Sequence, residues 1–268
     1  MLSDFKSIIQ AASKKNELIA VTHAGLFHSD ELACTVLLSI YLEGSGIKLK
    51  VFRTFEVSKI PKDDNVIVYD IGEGLLDHNK EEEKVEGRQL SSLGKLWRFG
   101  KQEFMEKFEI SNGLWGTIDK NFISKIDKSD TSGITDPLTY SINCIRNITP
   151  ESEAWDKCFE HMKNTLVPIL KCSKISTAES KILRSSPILT INGKKFRFTD
   201  SWCYGFDYKM DGHIWKTEDG TYKVRLFKEF DSLKLKNIKN GESENILYIS
   251  PSGKNGQVKT LKDLESII

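Results

Sequence analysis

The stretch T-H-A-G-L-F-H-S-D-E, residues 22–31, decides the fold of this 268-residue chain. An apolar run at 18–21 leads into it, and an apolar-periodic run at 32–42 follows it. This order predicts a strand, a polar loop and a helix. The loop carries side chains that are common metal ligands, namely His23, His28 and Asp30. In open α/β sheets ligands bind where loops leave the carboxyl ends of strands, so matching ligands from other segments are expected at the same edge.

Composition narrows the class of protein before any motif is considered. Hydrophobic residues make up 39% and charged residues 29%, which is typical of a soluble globular protein. The net charge of +1 argues against a protein that coats nucleic acid through general basicity. No apolar run approaches the roughly 20 residues that span a bilayer, so we expect no membrane partner.

Cysteine usage and the N-terminus indicate the compartment. The chain has five cysteines, an odd number, and no C-x-x-C pair, which argues against a disulfide framework and a thiolate zinc site. Cys34, Cys144 and Cys158 are predicted to be small buried residues of helices. Residues 1–15 alternate apolar and polar side chains, which predicts a helix rather than a secretory signal. We therefore expect a cytoplasmic or other reducing intracellular location.

Strand and helix patterns alternate through the first half of the chain. Strands are predicted at 18–23, 47–55 and 66–69, and helices at 5–12, 30–42, 93–108 and 114–126. This alternation predicts βαβ units and a parallel sheet. The fold class is therefore α/β, a parallel-sheet domain followed by a smaller α+β domain.

The hydrophobic pattern of the sequence changes after Pro150. A long helical pattern covers 151–185, and short alternating runs follow at 188–191, 195–199, 222–227 and 246–249. Asn192-Gly193 between two such runs predicts a hairpin. We divide the chain into a metal-binding domain at 1–150, a helical connector at 151–186 and a substrate-side α+β domain at 187–268.

Several more candidate ligands lie where predicted strands and helices end. Asp70 closes the 66–69 strand, Asp77-His78 follows it, and the pair Asp127 and Asp130 ends the helix after Leu114. Imidazole and carboxylate without thiolate suit Mn²⁺, Fe²⁺, Co²⁺ or Zn²⁺. Two such ions about 3.5–4 Å apart can activate a water and neutralise a phosphoryl group. A shared carboxylate would have to lie centrally, and Asp70 is the natural candidate.

Each candidate ligand also has an ordinary structural interpretation. Asp30 can cap the helix that follows it, and Asp70 can form a turn. Asp77-His78 alone is typical of a surface turn, and the pair Asp127 and Asp130 is typical of a solvated helix end. Only the joint pattern favours a metal site over these alternatives.

Five motifs in a fixed order resemble the Myg exonuclease family, a branch of the DHH phosphoesterase superfamily. They are the opening stretch at 22–31, V-Y-D-I-G at 68–72, L-D-H at 76–78, Q-L-S-S-L-G at 89–94 and I-D-K-S-D at 126–130. I-L-Y-I-S-P and G-Q-V near the C-terminus resemble the family more weakly. The resemblance therefore rests on the first half of the chain.

The resemblance implies a DHH-type domain with a centre of two divalent ions, usually manganese. Its implied ligands are His23, His28, Asp30, Asp70, His78 and Asp127, with Asp130 as the alternative to Asp127. The candidate catalytic residues are Asp70, His78 and Asn79. The implied reaction is hydrolysis of phosphodiesters from an end of single-stranded RNA or DNA, with a nucleotide as the smaller possible substrate.

One departure from the family pattern bears on catalysis. The family usually has a second histidine after the aspartate, and this chain has Asn79 there. An amide donates a hydrogen bond but cannot carry a proton, so general acid help would be lost. This leaves open a weakened relative that binds metal and nucleotide without turnover. A second alternative is a small-molecule phosphatase or pyrophosphatase that uses the same metal site with a tighter cleft.

The second half of the chain mixes basic and aromatic residues that have two interpretations. They can line a face that binds a nucleic-acid strand, because lysines follow phosphates and aromatic rings stack on bases. The favoured interpretation is an ordinary surface with buried aromatics. His161 and His213 are predicted not to be ligands, with His213 in a turn. The basic and aromatic residues that could line such a face are Lys194, Lys195, Arg197, Trp202, Lys223 and Arg225.

Overall fold

The computed structural model describes residues 4–72, 76–77, 89–203, 207, 209–227, 235 and 243–268. The chain divides into two compact units, residues 1–173 and 174–268. In the part of the chain that the structure describes, none of the helices is both long and apolar enough to cross a membrane.

The first unit is built on a parallel three-stranded sheet, as predicted. The strands lie in the order β2-β1-β3, and β1 pairs in parallel with both neighbours. The carboxyl ends of β1 and β3 therefore meet at one edge, with His23 and Asp70 beside each other. The elements of this part are α1 (Phe5–Lys15), β1 (Glu17–His23), α2 (Ser29–Leu42), β2 (Lys48–Thr54) and β3 (Val66–Val68).

Helix α2 is buried on almost all of its faces. Of its fourteen residues only Ser39 and Tyr41 are not buried. A helix that is apolar all round belongs in a core, which explains why residues 32–42 lack a polar stripe. The polar first turn of α2 is buried too, and Asp30 and Glu31 are both 0% exposed. Its ionisable groups must therefore find partners inside the unit.

The remaining elements of the first unit are helical. The predicted helix at 93–108 is broken at Gly100 into α3 and α4. The predicted helix at 114–126 continues through a π-helical turn to Ser132, so Asp127 and Asp130 lie inside α6 and do not end a helix. The elements are α3 (Ser92–Phe99), α4 (Lys101–Lys107), α5 (Asn112–Ile118), the π-helical turn (Asp119–Ile123), α6 (Ser124–Ser132), α7 (Pro137–Ile148) and α8 (Glu151–Ser185).

The core of this unit is rich in aromatic side chains. Trp97 and Trp115 are buried and stack with ring centroids 3.7 Å apart. Phe5 and Phe104 pack edge to face at 5.0 Å, which joins α1 to α4. The predicted burial of the cysteines holds for Cys34 and Cys158, but Cys144 in α7 is exposed.

Among its described residues the second unit holds a six-stranded mixed sheet, the end of α8 and one short terminal helix, which confirms an α+β domain. The strand order is β4-β5-β6-β7-β9-β8, and only β5 and β6 run in parallel. The predicted hairpin joins β4 to β5, with positive φ at Asn192 and Gly193. The elements are β4 (Ile188–Ile191), β5 (Lys194–Thr199), β6 (Gly212–Lys216), β7 (Tyr222–Leu226), β8 (Ile246–Ile249), β9 (Asn255–Val258) and α9 (Leu264–Ile267).

Two strands of this sheet, β6 and β9, are not among the predicted alternating runs. His213 was expected in a turn. His213 lies within β6 and is 1% exposed. It pairs with Arg225 on β7, so its ring belongs to a row of side chains across the sheet.

Candidate metal centre

The centre begins where β1 and β3 end. Asp70 is a non-glycine residue with φ of +57°, a left-handed conformation that is uncommon and typical of functional turns. The Asp70 carboxylate Oδ2 lies 3.1 Å from His23 Nε2. The side chain of Asp70 is buried, whereas that of His23 is 23% exposed. The strand ends therefore join an imidazole to a carboxylate, as the sequence predicted.

Two arginines hold the loop that carries the histidines. Arg53 on β2 donates from Nε to the carbonyl of His23 at 3.2 Å and from Nη2 to that of Gly25 at 2.9 Å. Arg146 on α7 donates to the carbonyl of Phe27. Sequence reasoning did not find either arginine, because nothing local to them marks a contact with residues 23–27. Their effect is to fix the backbone on both sides of the loop.

Glu31 is another buried carboxylate beside His23, and it was not among the candidates predicted from the sequence. Its Oε2 accepts from Thr22 Oγ1 at 2.5 Å, and its Oε1 accepts from the backbone N–H of His28 at 3.0 Å. The same Oε1 lies 3.1 Å from His23 Nε2. Glu31 thus ties both ends of the loop to α2. Its position, the third residue of α2, could have indicated this contact. An acidic side chain at that position often accepts a hydrogen bond from the backbone just before the helix.

Two groups of possible ligand atoms share His28. Within each group the atoms lie within 4.8 Å of one another. His28 Nδ1 is 3.9 Å from Asp130 Oδ1, which brings α6 to the start of α2. The His28 side chain is 51% exposed, so the centre opens to solvent on this side. The groups are His23, His28 and Asp70, and His28, Asp30 and Asp130.

The N-terminus of α3 faces two fully buried aspartates. The backbone N–H of Ser92 donates to Asp30 Oδ2 at 3.2 Å. The N–H and hydroxyl of Ser91 donate to Asp127 Oδ1 at 3.3 and 2.7 Å. Amides at a helix N-terminus stabilise negative charge. This gives the Q-L-S-S-L-G motif a physical role in holding carboxylates from α2 and α6.

Four buried carboxylates surround one thiol. The pKa of the Cys34 thiol is raised well above its usual range, chiefly by burial and then by neighbouring carboxylates. Buried carboxylates gathered at one place need compensating positive charge. Imidazole and carboxylate donors fit Mn²⁺, Fe²⁺, Co²⁺ or Zn²⁺, so the residues present suit a metal ion. The carboxylates that raise the Cys34 pKa are those of Asp30, Asp70, Glu31 and Asp127.

The structure brings together most of the ligands predicted from the sequence. Asp127 stands outside the two ligand groups found among the described residues, and its Oδ1 accepts hydrogen bonds from Ser91. Asp77 is buried, and its carbonyl accepts from Lys95 Nζ at 2.7 Å. His78 and Asn79 lie outside the described residues. The predicted ligands found in the two groups are His23, His28, Asp30, Asp70 and the alternative Asp130.

His23 carries a strongly shifted pKa. The carboxylate of Asp70, and then that of Glu31, raise the pKa of His23 from 6.5 to about 11. Its Nδ1 lies 2.9 Å from the carbonyl of Ala24, so Nδ1 donates and Nε2 faces the carboxylates. Because the folded pKa is raised, the protonated ring stabilises the metal-free protein fully below pH 6.5. This stabilisation is lost as pH rises through about 11.

Metal binding should release this proton. A ligand imidazole must be neutral at the metal, so an ion at Nε2 replaces the proton held by the carboxylates. We expect release of about one proton from His23 at pH 7.5, and an affinity that rises up to about tenfold per pH unit. Calorimetric titration with Mn²⁺ in two buffers of different ionisation enthalpy measures the release. His161→Gln, which alters a histidine bonded to Ser141, should leave it unchanged. Equal heats in both buffers would contradict the assignment.

Carboxylates and imidazoles at the carboxyl edge of a parallel sheet define this protein as a candidate metal-binding α/β enzyme. The sequence model of one family, MYG1_exonuc, described as Uncharacterised protein family (UPF0160), matches residues 19–161. Because the match covers more than half of the chain, the protein belongs to this family. The resemblance inferred from the motifs is thereby confirmed, and the family's name indicates an exonuclease-like hydrolase acting on nucleic acid.

Two further comparisons gave no relatives. No curated protein and no solved structure matches the chain.

Proposed function

We propose that this protein is a metal-dependent phosphodiesterase that removes nucleotides from an end of single-stranded nucleic acid. One observation carries the proposal. Two adjacent groups of ligand atoms share His28 at the carboxyl edge of the parallel sheet. Two neighbouring groups suit two divalent ions, which we propose to be Mn²⁺, and a place in the DHH superfamily is part of the proposal.

The ligands have distinct proposed roles. Asp70 is proposed as the ligand shared by both sides of the centre, and its carboxylate meets His23 from a neighbouring strand end. His23 would complete one side of the centre, and Asp30 with Asp130 or Asp127 the other. His78 is proposed from the family pattern alone. When bound, the ions would activate a water molecule and neutralise the charge of a phosphoryl group.

Other side chains would keep this geometry fixed during the reaction. Glu31 accepts from the backbone N–H of His28 and so holds the loop, and Thr22 in turn holds Glu31. The backbone N–H of Ser92, at the start of α3, holds Asp30 through Oδ2. Because ligand orientation sets metal affinity, loss of such a supporting contact typically costs 10- to about 100-fold. The half-exposed ring of His28 marks the side from which a phosphodiester can approach.

A panel of matched substrates tests the proposal. With Mn²⁺, we expect rapid shortening of a linear single-stranded oligomer and much slower attack on its duplex and on a circular single strand. Asp70→Asn, prepared in parallel, identifies hydrolysis by a contaminant. Salt dependence should be shallow, since the net charge of +1 provides little general attraction and only a few counterions are released.

The same panel separates the alternatives. Cleavage of the circle as fast as the linear strand would rule out an end-dependent enzyme. Hydrolysis of small phosphoesters alone would assign the site to a phosphatase or pyrophosphatase. Metal and nucleotide binding without turnover would identify the weakened relative that Asn79 suggests. Absence of both binding and hydrolysis with every divalent metal would contradict the proposal.

A further inference from the structure

The second unit lies beyond the residues that the family model matches, which end at 161. Its sheet has two unlike faces. One face is apolar and buried, and α9 packs against it through Leu264 and Ile267. Val224, at the middle of β7, points into this core. The residues on either side of Val224 therefore point to the opposite face.

That opposite face carries two rows of side chains across three strands. Trp215 on β6 is opposite Lys223 on β7, which is opposite Gln257 on β9. His213 is likewise opposite Arg225. Paired residues of neighbouring strands project to the same side of a sheet. The face therefore combines aromatic rings, amides and cations in adjacent positions.

The aromatic rings form a cluster with a cation over it. The ring centroids of Trp202 and Trp215 are 4.6 Å apart, and Trp202 stacks on His213 at 5.9 Å. The guanidinium of Arg225 lies 5.4 Å from the Trp202 ring. Tyr248, on β8, is 44% exposed beside them. Both tryptophans are only partly buried, so they offer ring surface to a ligand.

A pocket of about 560 Å³ lies on this face. Its size falls within the range of sites that hold nucleotide-sized ligands. Trp202, Trp215, Lys223, Arg225 and Tyr248 are among the residues that line it. The pKa of His213 is lowered to about 4 by burial and then by Arg225, so its ring is neutral at physiological pH. The positive charge of the pocket therefore comes from Lys223 and Arg225.

We propose that this face binds single-stranded nucleic acid, with bases stacked on Trp202 and Trp215 and phosphates held by Lys223 and Arg225. This proposal takes the class of substrate from the proposed function. It adds a binding site outside the metal centre. Stacking on aromatic rings tolerates any base, because every base has a flat face. A duplex hides those faces, so the site should select single strands.

The structure also revises which residues form such a face. Of the six predicted residues, Trp202, Lys223 and Arg225 line the pocket. Arg197 is held by Asp207 at 2.9 Å and donates to the carbonyl of Ser186. The sequence prediction did not include Trp215 or Tyr248.

Equilibrium binding without metal tests the proposal. Fluorescence anisotropy of a labelled twelve-nucleotide single strand is measured in chelator, so that no hydrolysis contributes. Trp215→Ala should weaken binding by about tenfold to 100-fold, the cost of losing one stacked base. Trp215→Phe should retain most of the affinity, and Lys223→Gln should weaken binding and flatten its salt dependence. Tyr140→Ala, which removes an exposed ring of the first unit, is the matched control.

An oligomer of the same length without bases separates stacking from charge. We expect it to bind at least about tenfold more weakly than the base-bearing strand. Equal binding of the two oligomers, or unchanged binding by both Trp215→Ala and Lys223→Gln, would overturn the proposal. Because strand binding is measured in chelator and hydrolysis is measured with Mn²⁺, a failure of the metal centre and a failure of this face give different results.

Discussion

Asp70→Asn is expected to lose both bound metal ions and to lower phosphodiesterase activity by about 10³-fold or more. Asp70 meets His23 at neighbouring strand ends, and we propose that it is the carboxylate shared by both sides of the centre. Two-metal stabilisation of a phosphoryl group is worth several kcal/mol, and each 1.36 kcal/mol is tenfold in rate. Elemental analysis after reconstitution with Mn²⁺ gives the stoichiometry, and we expect close to two ions in the unaltered protein.

Asp63→Asn provides the matched control for Asp70→Asn. Asp63 is 57% exposed and pairs with Lys15, so its loss should leave metal content and activity unchanged. Asp127→Asn and Asp130→Asn, measured in the same series, compare the two candidates for the last ligand. An Asp70→Asn protein that still held two ions would show that this strand end is not the shared ligand. The centre would then need a different arrangement.

The first βαβ unit was predictable because its sequence signals are local. A β-forming apolar run, a polar loop and a helix without a polar stripe require a buried strand and a buried helix. The position of Asp70 followed from the same reasoning, since parallel strands bring their carboxyl ends to one edge. The proximity of four candidate ligands, His23, His28, Asp30 and Asp70, could therefore be predicted from the order of elements alone.

The supporting residues of the centre could not be found in this way. Arg53, Arg146 and the α3 amides act through contacts with the backbone or with carboxylates far along the chain. Such contacts depend on packing, which a local pattern does not specify. Glu31 is intermediate, because its place near the start of α2 was visible but its burial was not. Candidate metal ligands could thus be predicted from the sequence more readily than the residues that hold their side chains in place.

Missed elements have an equally physical explanation. β6 is short and starts with Gly212, which is disfavoured in strands. That glycine is required because a Cβ there would lie 2.4 Å from the carbonyl oxygen of Arg225. α7 begins at Pro137, behind an Asp136 cap that accepts from the N–H groups of Leu138 and Thr139. Such caps also occur in ordinary turns, so the start of α7 was ambiguous.

Gly94 provides a test of how closely α3 packs against the buried carboxylates. A Cβ at this position would lie 2.5 Å from both oxygens of Asp127, closer than real structures allow. Asp127 is 0% exposed and is held by Ser91, so it cannot move aside without losing hydrogen bonds. We expect Gly94→Ala to destabilise the protein by about 2–3 kcal/mol and to lower metal affinity.

A matched glycine and a second background make the Gly94→Ala measurement specific. Gly116 lies in α5, where a Cβ would meet no described atom within 4 Å. Gly116→Ala should therefore stabilise by about 0.5–1 kcal/mol, the usual gain of alanine over glycine within a helix. In an Asp127→Ala background, Gly94→Ala should cost far less, because the colliding carboxylate is gone. Thermal unfolding followed by near-ultraviolet circular dichroism gives the stability of the unaltered protein, of the three single variants and of the Gly94→Ala/Asp127→Ala protein. If Gly94→Ala cost as much in both backgrounds, the damage would come from elsewhere on α3, and the contact with Asp127 would not be what requires a glycine.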